Sequence, residues 1–101
     1  MNFRKVEGLL VQESRGIWFE VMVDRSSYNG WVATEALEDL ARHRAMPQDD
    51  LLELYNAFSS VVLDSAAEKI RTGNLQPDGT FLVTSDDTTA TLKRYRVDPV
   101  A

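Results

Sequence analysis

Residues 49–72 read DDLLELYNAFSSVVLDSAAEKIRT, and the fold turns on how this stretch is organised. Placed at about 100° per residue, Leu51, Leu54, Tyr55, Phe58, Val61, Val62, Ala66 and Ile70 share one side, with Glu53, Ser60, Asp64 and Arg71 opposite. Leu52 and Leu63 widen the apolar stripe. The spacing predicts one long helix, roughly 36 Å at 1.5 Å per residue. Asp50 is placed to cap its first turn, with Glu53 three residues on, and Asp49 adds charge at the positive end of the dipole. Lys69 and Arg71 occupy the last turn, and Gly73 is the expected left-handed residue that ends the helix.

Upstream, residues 6–33 predict a three-stranded antiparallel meander. The expected strands are Val6–Gln12, Ile17–Val23 and Tyr28–Ala33, joined by turns at Glu13-Ser14-Arg15-Gly16 and Asp24-Arg25-Ser26-Ser27. If Gln12 faces Ile17 and Val23 faces Tyr28, alternation divides the side chains between two faces. One carries Val6, Leu10, Ile17, Phe19, Val21, Val23, Tyr28 and Val32. The other carries Leu9, Val11, Trp18, Met22, Trp31 and Ala33, with Glu20 and Asn29 as its clear polar members. A sheet with one wet face alternates apolar and polar residues, and this one does not. Helices can cover the first face. The second needs the C-terminal segment (Leu92, Tyr95, Val97), the first helix or another chain.

Between meander and long helix, Thr34 is expected to cap a shorter helix with Ala36, Leu37, Leu40 and Ala41 inward. Arg42-His43-Arg44 falls in its last turn, and Pro47 separates it from the long helix. Downstream, Gln76-Pro77-Asp78-Gly79 is a turn, and Thr80–Thr84 is a short strand returning to the sheet. The remainder is rich in threonine and reads as a C-terminal strand, hairpin or tail. The expected class is therefore α+β: three antiparallel strands, two helices with the second long, and a returning strand. Residues 1–87 form one domain and 88–101 an appended strand or tail.

The stretch from Val21 to Asp87 resembles a family of short bacterial proteins of unknown function, family 1488. The likeness rests on Ala36-Leu37-Glu38-Asp39-Leu40, Ala67-Glu68-Lys69-Ile70, Gly73, Gln76-Pro77-Asp78-Gly79-Thr80 and Ser85-Asp86, in that order. It implies a small α+β fold with antiparallel strands and two helices, and implies no activity.

Bulk properties narrow the function. A chain of 101 residues, 44% hydrophobic and 27% charged, is one ordinary globular domain. A net charge of -5 argues against a general nucleic-acid or anionic-membrane surface. With no cysteine, disulfides, thiol catalysis and thiolate zinc sites are excluded, and the expected compartment is the cytoplasm. No apolar run has membrane-spanning length. No phosphate loop, nucleophile elbow or metal-binding motif is present, so no catalytic, cofactor or metal residue is expected. The sole histidine, His43, stands between two arginines and reads as a solvated helix end.

Three functions remain. The first is an interaction module without enzymatic activity, self-associating or binding another protein through Leu9, Val11, Trp18, Met22 and Trp31. The second is a small enzyme or ligand-binding protein with a site at a subunit boundary, using Glu20, Asp24 and His43. The weakest is nucleic-acid or anion binding through Lys93, Arg94 and Arg96 near the C-terminus.

Overall fold

A computed structural model describes residues 3–6, 9–12, 14–44 and 50–97, with side chains described for 9–12, 14–44 and 50–95. Pro47, Asp49 and the turn residue Glu13 lie outside the described residues, as do the side chains of Val6, Arg96 and Val97. The protein is α+β. The strands are β1 (Phe3–Val6), β2 (Leu9–Gln12), β3 (Gly16–Val23), β4 (Ser26–Ala33) and β5 (Phe81–Val83). The helices are α1 (Thr34–His43), α2 (Leu51–Ala57), α3 (Ser59–Arg71) and α4 (Ser85–Val97). The sheet runs β1-β2-β3-β4-β5, antiparallel except that β5 joins β4 in parallel. The expected meander is present, but its first strand is split into β1 and β2, which pair as a further hairpin.

Turn lengths set the register, and both differ from expectation. Val23 faces Ser26 across a two-residue turn in which Asp24 (φ 52) and Arg25 (φ 70) are both left-handed. That is the primed turn whose twist suits a hairpin. The shift from the expected Val23–Tyr28 pairing is an even number of residues, so β3 and β4 keep their faces. On the other side Gln12 faces Gly16, not Ile17. This odd slip turns β2 over. Gly16 is the reason: it is the first residue of the strand, not the last of the turn, with φ 135 and with a would-be Cβ only 1.8 Å from the Val32 carbonyl oxygen. Only glycine fits there.

The long helix is broken. Phe58 (φ -113, ψ 23) joins α2 to α3 at a bend, and backbone bonds from Phe58 to Leu54 and from Val62 to Phe58, each 3.0 Å, continue on either side. Asn56, Ser59 and Ser60 around the break are weak helix formers. The bend also serves packing: α2 lies on β3 and α1, while α3 reaches β5 and α4. The ends follow expectation. Asp50 accepts from the N–H groups of Leu52 (3.0 Å) and Glu53 (3.3 Å), and Gly73 (φ 73) closes α3. α1, in contrast, has Ala33 rather than Thr34 at its cap position, without a side-chain cap bond.

Residues 88–97, expected within a C-terminal strand or tail of 88–101, belong instead to α4, which starts at Ser85. Thr84 and Asp87 make its start: the Thr84 N–H (2.8 Å) and Oγ1 (3.0 Å) both donate to the Asp87 carboxylate. Thr88 and Thr91 are wholly buried, their hydroxyls donating to the carbonyls of Ser85 and Asp87. Tertiary packing thus overrides the strand preference of threonine. α4 packs against α3 and α1, so Leu92 and Tyr95 belong to the helical layer and do not cover the far side of the sheet.

One core lies between that layer and the inner face of the sheet. Val11, Ile17, Phe19, Val21, Val32, Phe81 and Val83 meet Leu37, Leu40, Leu54, Val62 and Ala66 there. Phe19 is its centre, edge-on to Tyr55 at 5.4 Å and to Phe81 at 5.1 Å. Gly30 lies opposite Phe19, and the Phe81 ring fills the place its Cβ would take, 2.4 Å away.

Candidate functional site

The outer face of the sheet carries apolar residues outside this core. Trp18 and Trp31 are directly opposed on β3 and β4, their rings 5.5 Å apart in an edge-to-face arrangement. The Arg15 guanidinium lies 4.6 Å from the centre of the Trp31 ring, a cation–π contact. Leu10 on β2 is paired with Trp18, and Leu82 on β5 with Trp31, so four apolar residues cross four adjacent strands in one row. Trp31 is 7% exposed, Leu10, Trp18 and Leu82 are half-buried, and Met22 beyond them is 68% exposed. Glu20 and Asn29, also paired, make the polar margin, and Glu20 accepts a hydrogen bond from Ser27. Gln12 shares this face at the Gly16 end, and its Oε1 is buried without a hydrogen-bond partner among the described residues.

Of the five residues expected here, the structure brings together Trp18, Met22 and Trp31. Leu9 and Val11 are corrected to the inner face: Val11 is 2% exposed within the core and Leu9 packs against it. The register slip at Gly16 put them on the wrong side and hid Leu10. Its signal was the length of the turn, since three residues between Gln12 and Gly16 fix the parity of β2. Leu82 had no such signal, because a parallel pairing depends on the intervening helices.

The other candidates are dispersed. Glu20 is on the outer face and Asp24 in the β3–β4 turn, whereas His43 ends α1 on the opposite side of the sheet. The basic run near the C-terminus divides as well. Lys93 faces α1, beside His43, and Arg94 donates to Thr91 Oγ1 at 3.2 Å on the side of α3. The Arg96 side chain lies outside the described residues. Between them Tyr95 donates to Asp64, and its hydroxyl is pushed up to about 12 by desolvation and by that carboxylate. Burial raises Tyr55, and hydrogen bonds from Thr80 hold Asp78 below the usual carboxylate value. Lys69 pairs with Asp87 at 3.2 Å, tying α3 to the start of α4.

Among the described residues no group of three or more histidines or acids is placed to hold a metal, and no helix is long and apolar enough to cross a membrane. Comparison of the chain with protein-family models, curated proteins and solved structures finds no match in any of the three.

Proposed function

We propose that this protein is an interaction module that pairs with a second copy of itself through the outer face of its sheet. The observation that carries the reading is the row Leu10, Trp18, Trp31, Leu82, with Met22 projecting, on the face opposite the described helical layer. Apolar patches rimmed by polar groups mark partner surfaces, and tryptophan and arginine dominate the binding energy at such surfaces. Charge favours a second copy as occupant. Arg15 lies toward one end of the face and Glu20 toward the other, with Trp18 between them in sequence. A two-fold axis near the tryptophan pair sets Arg15 of each copy at the Glu20 end of its partner, as an isologous dimer requires. Two sheets meeting in this way pack about 10 Å apart with their strands about 30° from aligned.

The family 1488 resemblance is part of the same reading. It rests on the sequence motifs alone; in the fold Pro77-Asp78-Gly79-Thr80 is the hydrogen-bonded turn before β5, and Ser85-Asp86 opens α4. A cysteine-free chain is also in keeping with work in the cytoplasm.

Sedimentation equilibrium of the full chain tests the pairing. A dimer at tens of micromolar is expected, converted to monomer by Met22→Lys with an unchanged circular dichroism spectrum. Glu20→Arg should weaken association and Arg15→Glu in the same chain should restore it. A monomeric parent chain, or a dimer indifferent to Met22→Lys, would overturn the reading.

A further inference from the structure

α1 and α4 lie side by side without closing the space between them. The cleft has a volume of about 330 Å³ and is lined by Asp39, Arg42 and His43 from α1 and by Thr89, Leu92 and Lys93 from α4. That volume is at the lower end of the range that small-molecule sites occupy. The cleft is on the opposite side of the sheet from the tryptophan row, so it stands apart from the pairing surface.

Its chemistry is two-sided. Leu92 is half-buried against the core and forms an apolar floor, extended by the methylene stems of Arg42 and Lys93. At the rim stand two basic side chains, Arg42 and Lys93, and, among the described lining residues, one carboxylate, Asp39. Asp39 contacts a single Arg42 nitrogen, Nη2, at 3.2 Å, and the Arg42 side chain is 60% exposed. A guanidinium has five N–H donors in a fixed fork, so donors remain for a ligand. His43 adds ring nitrogens to the same wall. The net charge of the chain is -5, so this rim is a local reversal of sign that attracts anions. Two features limit how much negative charge it accepts: Asp39 itself, and the carbonyl end of α1, where the helix dipole is negative.

The smaller space on the other side of α4, near 100 Å³, contrasts with it. There Lys69 is paired with Asp87, Ser65 with Thr91 at 2.7 Å, and Arg94 with Thr91. Lys69, Ser65 and Thr91 are each bonded to another group of the lining. The α1–α4 cleft presents cations beside an apolar floor.

We propose that the α1–α4 cleft binds a small amphipathic monoanion, an apolar carboxylate, with its body on Leu92 and its charge between Arg42 and Lys93.

Amide chemical-shift titration of the full-length protein with hexanoate tests this, with acetate, inorganic phosphate and 1-hexanol as controls. Saturable one-site shifts confined to residues 39–43 and 89–93 are expected for hexanoate. Acetate lacks the body, 1-hexanol lacks the charge, and phosphate lacks the body while carrying more charge, so each should bind at least about tenfold more weakly. Lys93→Glu and Arg42→Glu, both exposed positions, should each weaken hexanoate about tenfold or more with the rest of the spectrum unchanged. No saturable shift, equal binding of 1-hexanol or of phosphate, shifts centred on Trp18 and Trp31, or indifference to both variants would each overturn the proposal.

Discussion

Trp18 and Phe19 are neighbours in β3, both large and aromatic, and they live in different environments. Phe19 points inward, is 1% exposed and sits edge-on to Tyr55 and Phe81 beneath the helical layer. Trp18 points outward, is half-buried and meets Trp31. Both faces carry large apolar side chains, the outer one with a polar margin, and they differ in cover. The residue types on a strand therefore say that a face seeks burial; what buries it is decided by the rest of the chain or by a partner. Here α1–α4 all join the inner cluster, including the C-terminal segment that the sequence offered as a cover for the tryptophans.

The contrast makes Phe19→Ala the most damaging substitution. Removing a sealed aromatic forfeits its transfer energy and leaves a cavity, a loss of about 4 kcal/mol. Trp18→Ala is the matched change on the other face. Its loss in the monomer should be about 1–2 kcal/mol, from one edge-to-face contact and partial burial. Urea denaturation of both variants, at concentrations low enough to keep the chains monomeric, measures the difference. Equal losses would mean that the outer face is as closed as the core, and the comparison would fail.

Gly30→Ala sharpens it from the backbone side. The added methyl would meet the Phe81 carbonyl oxygen at 2.3 Å and its ring at 2.4 Å, so β5 must shift from β4 or the aromatic cluster must open. A loss of about 3 kcal/mol is expected, at the upper end of ordinary overpacking. Asn29→Ala next to it, on the exposed outer face, should change stability by less than about 0.5 kcal/mol. A mild Gly30→Ala would show that β5 is not held against β4 in solution.

Much of this architecture was legible in the residues. The Asp50 cap, the Gly73 terminus, the Pro77-Asp78-Gly79 turn and the strand after it are local devices with local signatures, and each stands where its chemistry places it. The failures are of another kind. Register has period two, so an error of two residues at the Asp24-Arg25 turn left every face intact, while an error of one at Gly16 exchanged Leu9 and Val11 for Leu10. The bend at Phe58 was invisible because both helical pieces keep the same apolar stripe. α4 was missed for a better-defined reason. Thr84-Ser85-Asp86-Asp87 is a capping-box pattern, but the three threonines that follow it favour strand, and the burial of Thr88 and Thr91, the latter bonded to Ser65 of α3, decides the matter. Of the candidate surface, the shared face of the two tryptophans could be read directly, their direct pairing needed the two-residue turn, and Leu82 arrives through a parallel pairing that no local pattern encodes.

Met22→Ala is the quiet counterpart of Phe19→Ala. At 68% exposure the side chain contributes little to the monomer, and a change within about 0.5 kcal/mol is expected from the same urea measurement. The same substitution should lower the dimer's association constant, because in the proposed pair Met22 is covered by the second copy. Stability and association therefore separate at this residue. A large loss in the monomer would place Met22 beneath part of its own chain.

The smallest effect tests the seat of α4, on which the openness of the outer face depends. Tyr95 donates to Asp64 across the α3–α4 contact, and desolvation, then that bond and the carboxylate charge, push its hydroxyl up to about 12. A folded value above the unfolded one means that the native state holds the proton more tightly. The resulting stability is present in full below pH 10 and is lost as pH rises from 10 through about 12. Tyr95 is 45% exposed, so solvent screens the interaction and the change in stability is slight. The titration itself is easier to see. Absorbance at alkaline pH should show Tyr95 ionising late in the parent chain and earlier in Asp64→Asn, which removes the charge. If Tyr95 instead ionised near its ordinary value, the Tyr95–Asp64 contact near the C-terminal end of α4 would not hold in solution.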